Sequence, residues 1–214
     1  MQRIVLQFIY SFFLKWTLKL FIGVKFDNTD FLKEENAFII LANHNSHLDT
    51  ITLLASLPPS IIHKVKPVAA GDYFGKTKLL ALLSSYFINA LLIDRKAEKK
   101  DPTQSPISKM IKEIDNGNSL ILFPEGTRGE PEVMKPLKRG IGLVLAKRNH
   151  IPYIPVYLSG MGKTLPKGEK IIVPFNSYVK FGKFQRVKSE DSKKIISQIE
   201  HDIVELGMTR KNSA

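Results

Sequence analysis

His44 and Asp49 are the residues of this chain best suited to do chemistry. They lie in Asn43-His44-Asn45-Ser46-His47-Leu48-Asp49, between an apolar run and an apolar helical pattern. On one regular helix a spacing of five residues separates two side chains by about 140°. They meet if His44 lies in a loop and Asp49 in the first helical turn. The carboxylate then accepts the proton of one ring nitrogen, fixes the tautomer and leaves the other nitrogen as a base. An imidazole with an ordinary pKa of about 6.5 is matched to proton removal from an alcohol near neutral pH. A plainer reading competes, because Ser46 and Asp49, three apart, also fit an N-terminal capping box. Capping explains Ser46 and Asp49 but not His44.

A second cluster is Phe123-Pro124-Glu125-Gly126-Thr127-Arg128. Gly126 permits close backbone approach, and Thr127 and Arg128 supply donors for an anionic oxygen. The arginine fork fits phosphate better than a lysine does. The alternative is a simple turn with Glu125 and Arg128 paired across it. A third cluster, Ile93-Asp94-Arg95, ends another apolar run. Each of the three follows a candidate strand directly, and ligands in open α/β sheets bind beyond the carboxyl ends of strands. If those strands are parallel, His44, Arg95, Glu125 and Arg128 face one crevice. A base oriented by a carboxylate, beside two arginines, describes transfer to an alcohol on a phosphorylated substrate. The chain has no cysteine and no Gly-x-Ser-x-Gly elbow, so direct attack by the substrate hydroxyl is simpler than a covalent acyl-enzyme. His44 and His47 have no third ligand at sensible spacing, so no metal site is expected. The phosphate-loop and dinucleotide glycine patterns are missing too.

The elements that must hold these clusters alternate along the chain. Apolar runs at Ala37–Ala42, Pro67–Ala70, Ile88–Ile93, Ser119–Phe123, Tyr153–Leu158, Ile171–Val173 and Tyr178–Phe181 predict strands. Helical patterns cover 47–56, 74–85, 104–116, 137–148 and 190–206. This predicts an α/β fold with a mixed, largely parallel sheet flanked by helices. The division expected is a membrane-associating helical segment over residues 1–35 and an α/β domain over 36–214.

Residues 4–24 are strongly apolar, but Lys15 and Lys19 interrupt a membrane span and no small-residue cleavage site follows. Arg3, Gln7, Ser11, Lys15 and Lys19 recur every four residues. On an α-helix each step turns about 40°, so the five form one polar stripe on an otherwise apolar, aromatic-rich helix. That pattern predicts an amphipathic helix lying in a membrane interface, the alternative being one packed on the domain core. The 214-residue chain carries 32 Lys and Arg against 20 Asp and Glu, and residues 121–214 hold 17 of the former and 9 of the latter. Such a surplus favours an anionic partner, either nucleic acid, a phospholipid surface or a phosphorylated small molecule. Aromatics interleave with lysines at Phe175, Tyr178, Phe181 and Phe184, but half-buried strands alternate the same way, so nucleic acid is not expected.

Taken together, these blocks resemble the lysophospholipid acyltransferase family, typified by 1-acylglycerol-3-phosphate acyltransferases. Asn43, His44, Ser46 and Asp49 match its first block. Ile93-Asp94-Arg95, with Gly71 upstream, resembles the second; Phe123–Arg128 matches the third; Ile151-Pro152-Tyr153-Ile154-Pro155-Val156 matches the fourth. The resemblance spans about residues 36–185 and implies acyl transfer from a thioester to the free hydroxyl of a lysophospholipid. It implies His44 as general base and Asp49 as its orienting partner. Arg95, Glu125, Gly126, Thr127 and Arg128 would bind the acceptor phosphate. It also implies acyl-CoA or acyl-carrier protein as co-substrate, no other cofactor, and a peripheral or monotopic protein on the cytoplasmic face of the inner membrane, against anionic lipid. Two departures bear on the acceptor. Gly129 stands where the third block is often followed by Ser, and Leu137-Lys138-Arg139-Gly140 replaces the usual Phe-Lys-x-Gly. Lysophosphatidate, another lysophospholipid and a lyso-aminolipid remain open as acceptors. A basic membrane-binding protein that keeps the fold without the chemistry is the contrasting expectation.

Overall fold

The computed structural model describes residues 1–71, 77–94, 104–166 and 168–209. Seven strands form one sheet in the order β1-β7-β6-β2-β5-β3-β4. They are β1 (Lys25–Phe26), β2 (Ile39–Ala42), β3 (Val65–Ala70), β4 (Leu91–Ile93), β5 (Ser119–Leu122), β6 (Tyr153–Ser159) and β7 (Tyr178–Phe181). Neighbours pair in parallel except β6 and β7, which are antiparallel. The mixed, largely parallel sheet expected from the alternation is therefore present.

Helix α1 spans Gln2–Ile22. It is followed by α2 (Asp49–Ser56), α3 (Lys78–Phe87), α4 (Pro106–Asp115), α5 (Gly140–Lys147), the single turn α6 (Met161–Thr164) and α7 (Ser192–Met208). Two start at side-chain caps. The Ser105 hydroxyl accepts from the Ser108 amide with Pro106 in the first turn, and Asp191 accepts from the Lys193 amide.

Strand β2 is buried throughout and lies mid-sheet, so alternate residues feed two cores. Phe38, Ile40 and Ala42 pack with α1 and α2 on one face. Ile39 and Leu41 pack on the other with Met110 of α4, Val144 of α5 and Ile199 of α7. Asn43 extends the β2–β6 ladder with its side chain. Its Nδ2 donates to the Leu158 carbonyl at 2.8 Å, and its Oδ1 accepts from the Leu158 amide at 2.7 Å. Both groups are buried, so the clamp fixes where β2 stops and the loop carrying His44 starts.

Two sequence expectations change. Lys25–Phe26 pairs in parallel with β7, so the N-terminal segment contributes an edge strand to the sheet. Ile171–Val173 forms no strand: Ile171, Ile172 and Val173 are 74%, 49% and 55% exposed. The tract meets no strand edge, and Pro174, which lacks an N–H, follows it.

The structure also shows how the N-terminal helix divides its surface. Leu6, Tyr10, Leu18 and Ile22 form the packed face of α1, seated against Leu53, Leu54, Leu57 and Ile62. Ile4, Phe8, Phe12, Trp16 and Leu20 form an exposed apolar face two residues out of step with it. Gln7, Ser11 and Lys15 of the polar stripe run along the border, where the Gln7 amide donates to the Pro59 carbonyl at 2.8 Å. All three stripes repeat every four residues, which a regular α-helix would wind into spirals. Wider i→i+5 turns over Gln7–Leu14 and Leu18–Ile22 unwind the helix and keep the stripes straight. Gln2–Ile22 has the length and apolarity of a membrane span, yet one side rests on the domain along its length.

Replacing Asn43 by Ala removes two buried hydrogen bonds and strands both Leu158 backbone groups. Chemical denaturation should register a loss of about 2–4 kcal/mol; a loss under about 0.5 kcal/mol would dismiss the clamp.

Candidate active site

The parallel register of β2 and β5 builds the site. Leu41 pairs with Leu122, so His44 and Glu125 each stand three residues past the last pair, at the same sheet end. The Glu125 Oε1 accepts from the His44 amide at 2.7 Å, and its Oε2 accepts from the Lys135 amide at 2.9 Å. The Gly129 amide donates to the His44 carbonyl at 2.7 Å. Residue 44 is thus held through both of its backbone polar groups by the loop after β5. Glu125 is not paired with Arg128 across a turn; it is a buried brace for backbone amides. Burial pushes its carboxyl above the usual carboxylate range, and the two amides pull the other way.

Asp49 opens α2 and is fully buried. Its Oδ2 accepts from the Asn45 amide at 2.7 Å and the Ser46 amide at 2.8 Å, and lies 2.9 Å from His44 Nδ1. The two sequence readings of this segment therefore coincide in one oxygen. The carboxylate reaches back to free amides before the helix, as capping requires, and also orients the imidazole. The Ser46 hydroxyl accepts from the Leu48 amide and donates to the Leu165 carbonyl at 2.9 Å, tying the loop to the segment after α6. The His44 ring stacks on Phe123 with centroids 4.0 Å apart and planes 18° from parallel. With Nδ1 on the carboxylate and one face on Phe123, Nε2 is the nitrogen left for the adjoining cavity.

That cavity holds about 760 Å³. His44, His47, Thr127 and Arg128 line one part, and Ile51, Val68, Ile88, Ile107 and Met110 are among the apolar residues lining the rest. Gly126 and Lys138 also border it. Thr127 is exposed and Arg128 half-buried. The Arg128 guanidinium contacts His47 Nε2, and its own carbonyl accepts from Lys135 Nζ at 3.1 Å. Loss of water, and then the charge of Arg128, hold His47 below the ordinary imidazole range, so it receives the arginine as a neutral acceptor. Composition and spacing gave no sign of this contact, because 81 residues separate the partners. Gly129 also has a structural reason: a Cβ there would lie 2.9 Å from the Val133 carbonyl oxygen and 3.3 Å from the Asn45 side chain. A serine hydroxyl has no room in this loop without movement of the backbone. Arg95 lies outside the described residues; the strand leading to it, β4, is parallel to β3, Ile93 pairing with Ala70.

The geometry has counterparts among known proteins. The acyltransferase family matches residues 23–159, well over half of the chain. A 1-acyl-sn-glycerol-3-phosphate acyltransferase of Bacillus subtilis is 32% identical over 160 residues, covering 74% of each chain. One of Saccharomyces cerevisiae is 30% identical over 149 residues, which are 66% of this chain but 45% of the yeast protein. The crystal structure of the 1-acyl-sn-glycerophosphate (LPA) acyltransferase PlsC from Thermotoga maritima superposes with a TM-score of 0.73 at 21% identity, covering 97% of this chain and 81% of that one; at that identity the likeness speaks for the fold. By the extent of the family match and the Bacillus relative, this chain belongs to the acyltransferase family.

Proposed function

We propose that this acyltransferase moves a fatty acyl group from an acyl thioester, acyl-CoA or acyl-carrier protein, to the free hydroxyl of 1-acylglycerol-3-phosphate, giving phosphatidate. The observation that carries the reading is the 2.9 Å contact between His44 Nδ1 and a buried carboxylate, beside a large, mostly apolar cavity. Asp49 keeps the proton on Nδ1, so Nε2 is the basic nitrogen. His44 Nε2 takes the proton of the acceptor hydroxyl as its oxygen attacks the thioester carbonyl. The tetrahedral adduct collapses with cleavage of the carbon–sulfur bond. The imidazolium returns the proton to the departing thiolate, leaving a new ester and a free thiol. No residue carries the acyl group in this scheme. The apolar cavity lining suits a hydrocarbon chain, and Arg128 and Thr127 at its polar part, with Arg95 by resemblance, suit the acceptor phosphate.

The reading places the chemistry at a membrane, where both lipids reside. The outward face of α1, with Phe8, Phe12 and Trp16 exposed and Lys15 and Lys19 at its flanks, suits a helix lying in the interface. Helix α3 adds exposed Leu79 and Leu82 near the start of α1, where the Gln2 amide donates to the Ser85 carbonyl. A basic surplus favours an anionic leaflet, in keeping with the cytoplasmic face of the inner membrane.

Purified protein given lysophosphatidate and a long-chain acyl-CoA should release free CoA and phosphatidate. His44→Ala should lower turnover by about 10²–10⁴-fold, and equal rates would remove His44 from the mechanism. Asp49→Asn should cut kcat by about 10³-fold or more through the wrong tautomer, with KM changed far less. Arg128→Lys should raise the KM for the phosphate-bearing acceptor about tenfold with kcat nearly kept; an unchanged KM assigns the phosphate elsewhere. Binding to phosphatidylglycerol-containing vesicles should weaken as salt rises toward about 1 M, where charge screening reaches about 3 Å.

A further inference from the structure

The tract Ile171-Ile172-Val173-Pro174-Phe175 has no role in the site, and the domain does not cover it. It carries four large apolar side chains, each at least 41% exposed. It is anchored at both ends. The Val173 amide donates to the Thr164 carbonyl at 2.9 Å, closing the loop on itself. Beyond it, the Lys25 amide donates to the Ser177 carbonyl at 2.9 Å, and a Cβ on Gly23 would lie 3.7 Å from the Asn176 side chain. The tract therefore leaves the domain beside the C-terminal end of α1, where Leu20 and Phe21 are 69% and 72% exposed. Both carry exposed apolar side chains at this end of the domain.

The local sequence is one-sided in charge. Between Met161 and Lys183 the sequence has five lysines, Lys163, Lys167, Lys170, Lys180 and Lys183, and one acid, Glu169. Lys163 Nζ sits 4.8 Å from the centre of the Phe175 ring. An aromatic and aliphatic cluster in a lysine-rich stretch of sequence, with Lys163 over its aromatic ring, fits an anionic phospholipid surface. Resting on the reading that the protein works at a membrane, we propose that Ile171–Phe175 is a second membrane-inserting element, a shallow wedge set in an anionic bilayer alongside α1. The depth follows from the backbone. The tract is in no strand or helix, and bare peptide groups are strongly disfavoured in hydrocarbon. Its backbone stays among the headgroups while the side chains reach just below them.

Trp16 is the lone tryptophan, so each element can be read separately in the full chain. The wild type reports on α1, and a Trp16→Phe, Phe175→Trp variant reports on the tract. The vesicles are phosphatidylcholine mixed with phosphatidylglycerol, with bromine placed either high on the acyl chain or near its end. The expected result is a blue shift at position 175 and stronger quenching by the high bromine than by the low one. Quenching of Trp16 without quenching at 175 overturns the wedge and leaves the membrane reading standing. No quenching of either overturns both. A blue shift at 175 that needs no vesicles and grows with protein concentration assigns the tract to a second copy of the chain, and also overturns the wedge. Ile171→Glu with Ile172→Glu should weaken vesicle partitioning roughly tenfold with an unchanged melting temperature, and equal partitioning would falsify the proposal.

Discussion

One oxygen atom organises the centre of this protein. Asp49 Oδ2 is buried and takes three donors, two amides and an imidazole N–H. A buried carboxylate without partners would be strongly destabilising, and three donors on one oxygen offset that penalty. The amides come from Asn45 and Ser46, so the turn between β2 and α2 closes around the charge. His44 is the only one of the three whose donor is a side chain. Its orientation is thus a by-product of the same contacts that stabilise the loop. A replacement without an acceptor oxygen at position 49 would release the turn and the imidazole together.

The second constraint is the pairing of β2 with β5. Parallel, in-register strands deliver His44 and Glu125 to the same level, and Glu125 then braces the His44 backbone from outside. Two carboxylates grip one short loop, Asp49 from the helix side and Glu125 from the neighbouring strand. The Asn43 clamp onto Leu158 supplies the third fixed point, from β6. The site is consequently a property of three central strands, each buried against both cores.

Much of this was legible in the sequence, for identifiable reasons. The strands of the central sheet are continuous apolar runs ended by polar clusters, and that pattern has few other solutions. The His44–Asp49 contact was legible as one of two readings, because a loop-to-helix junction lets side chains five residues apart meet, while capping explained only Ser46 and Asp49. The brace by Glu125 was not, since an acid beside an arginine reads as an ion pair until the register of two distant strands is known. The same blindness applies to Arg128 and His47. Ile171–Val173 misled for a different reason. Apolar, β-branched residues report that a segment prefers to leave water, but not whether it leaves for a sheet or for another surface. The polar stripe of α1 was legible as a stripe, but the division of the remaining apolar surface into a packed and an exposed face was not, because it depends on turns of about four residues that the sequence does not announce.

The pairing of Lys25 with Tyr178 has a consequence for how the chain is made. The first edge strand of the sheet waits for a partner that is synthesised about 150 residues later, a closure among the longest the topology requires. Throughout that interval β1 has no partner, although the packed face of the first helix can already meet Leu53, Leu54, Leu57 and Ile62. Until β7 arrives, the paired edge of β1 stays open to any other unpaired strand nearby, so this end of the sheet is the part of the fold most exposed to mispairing.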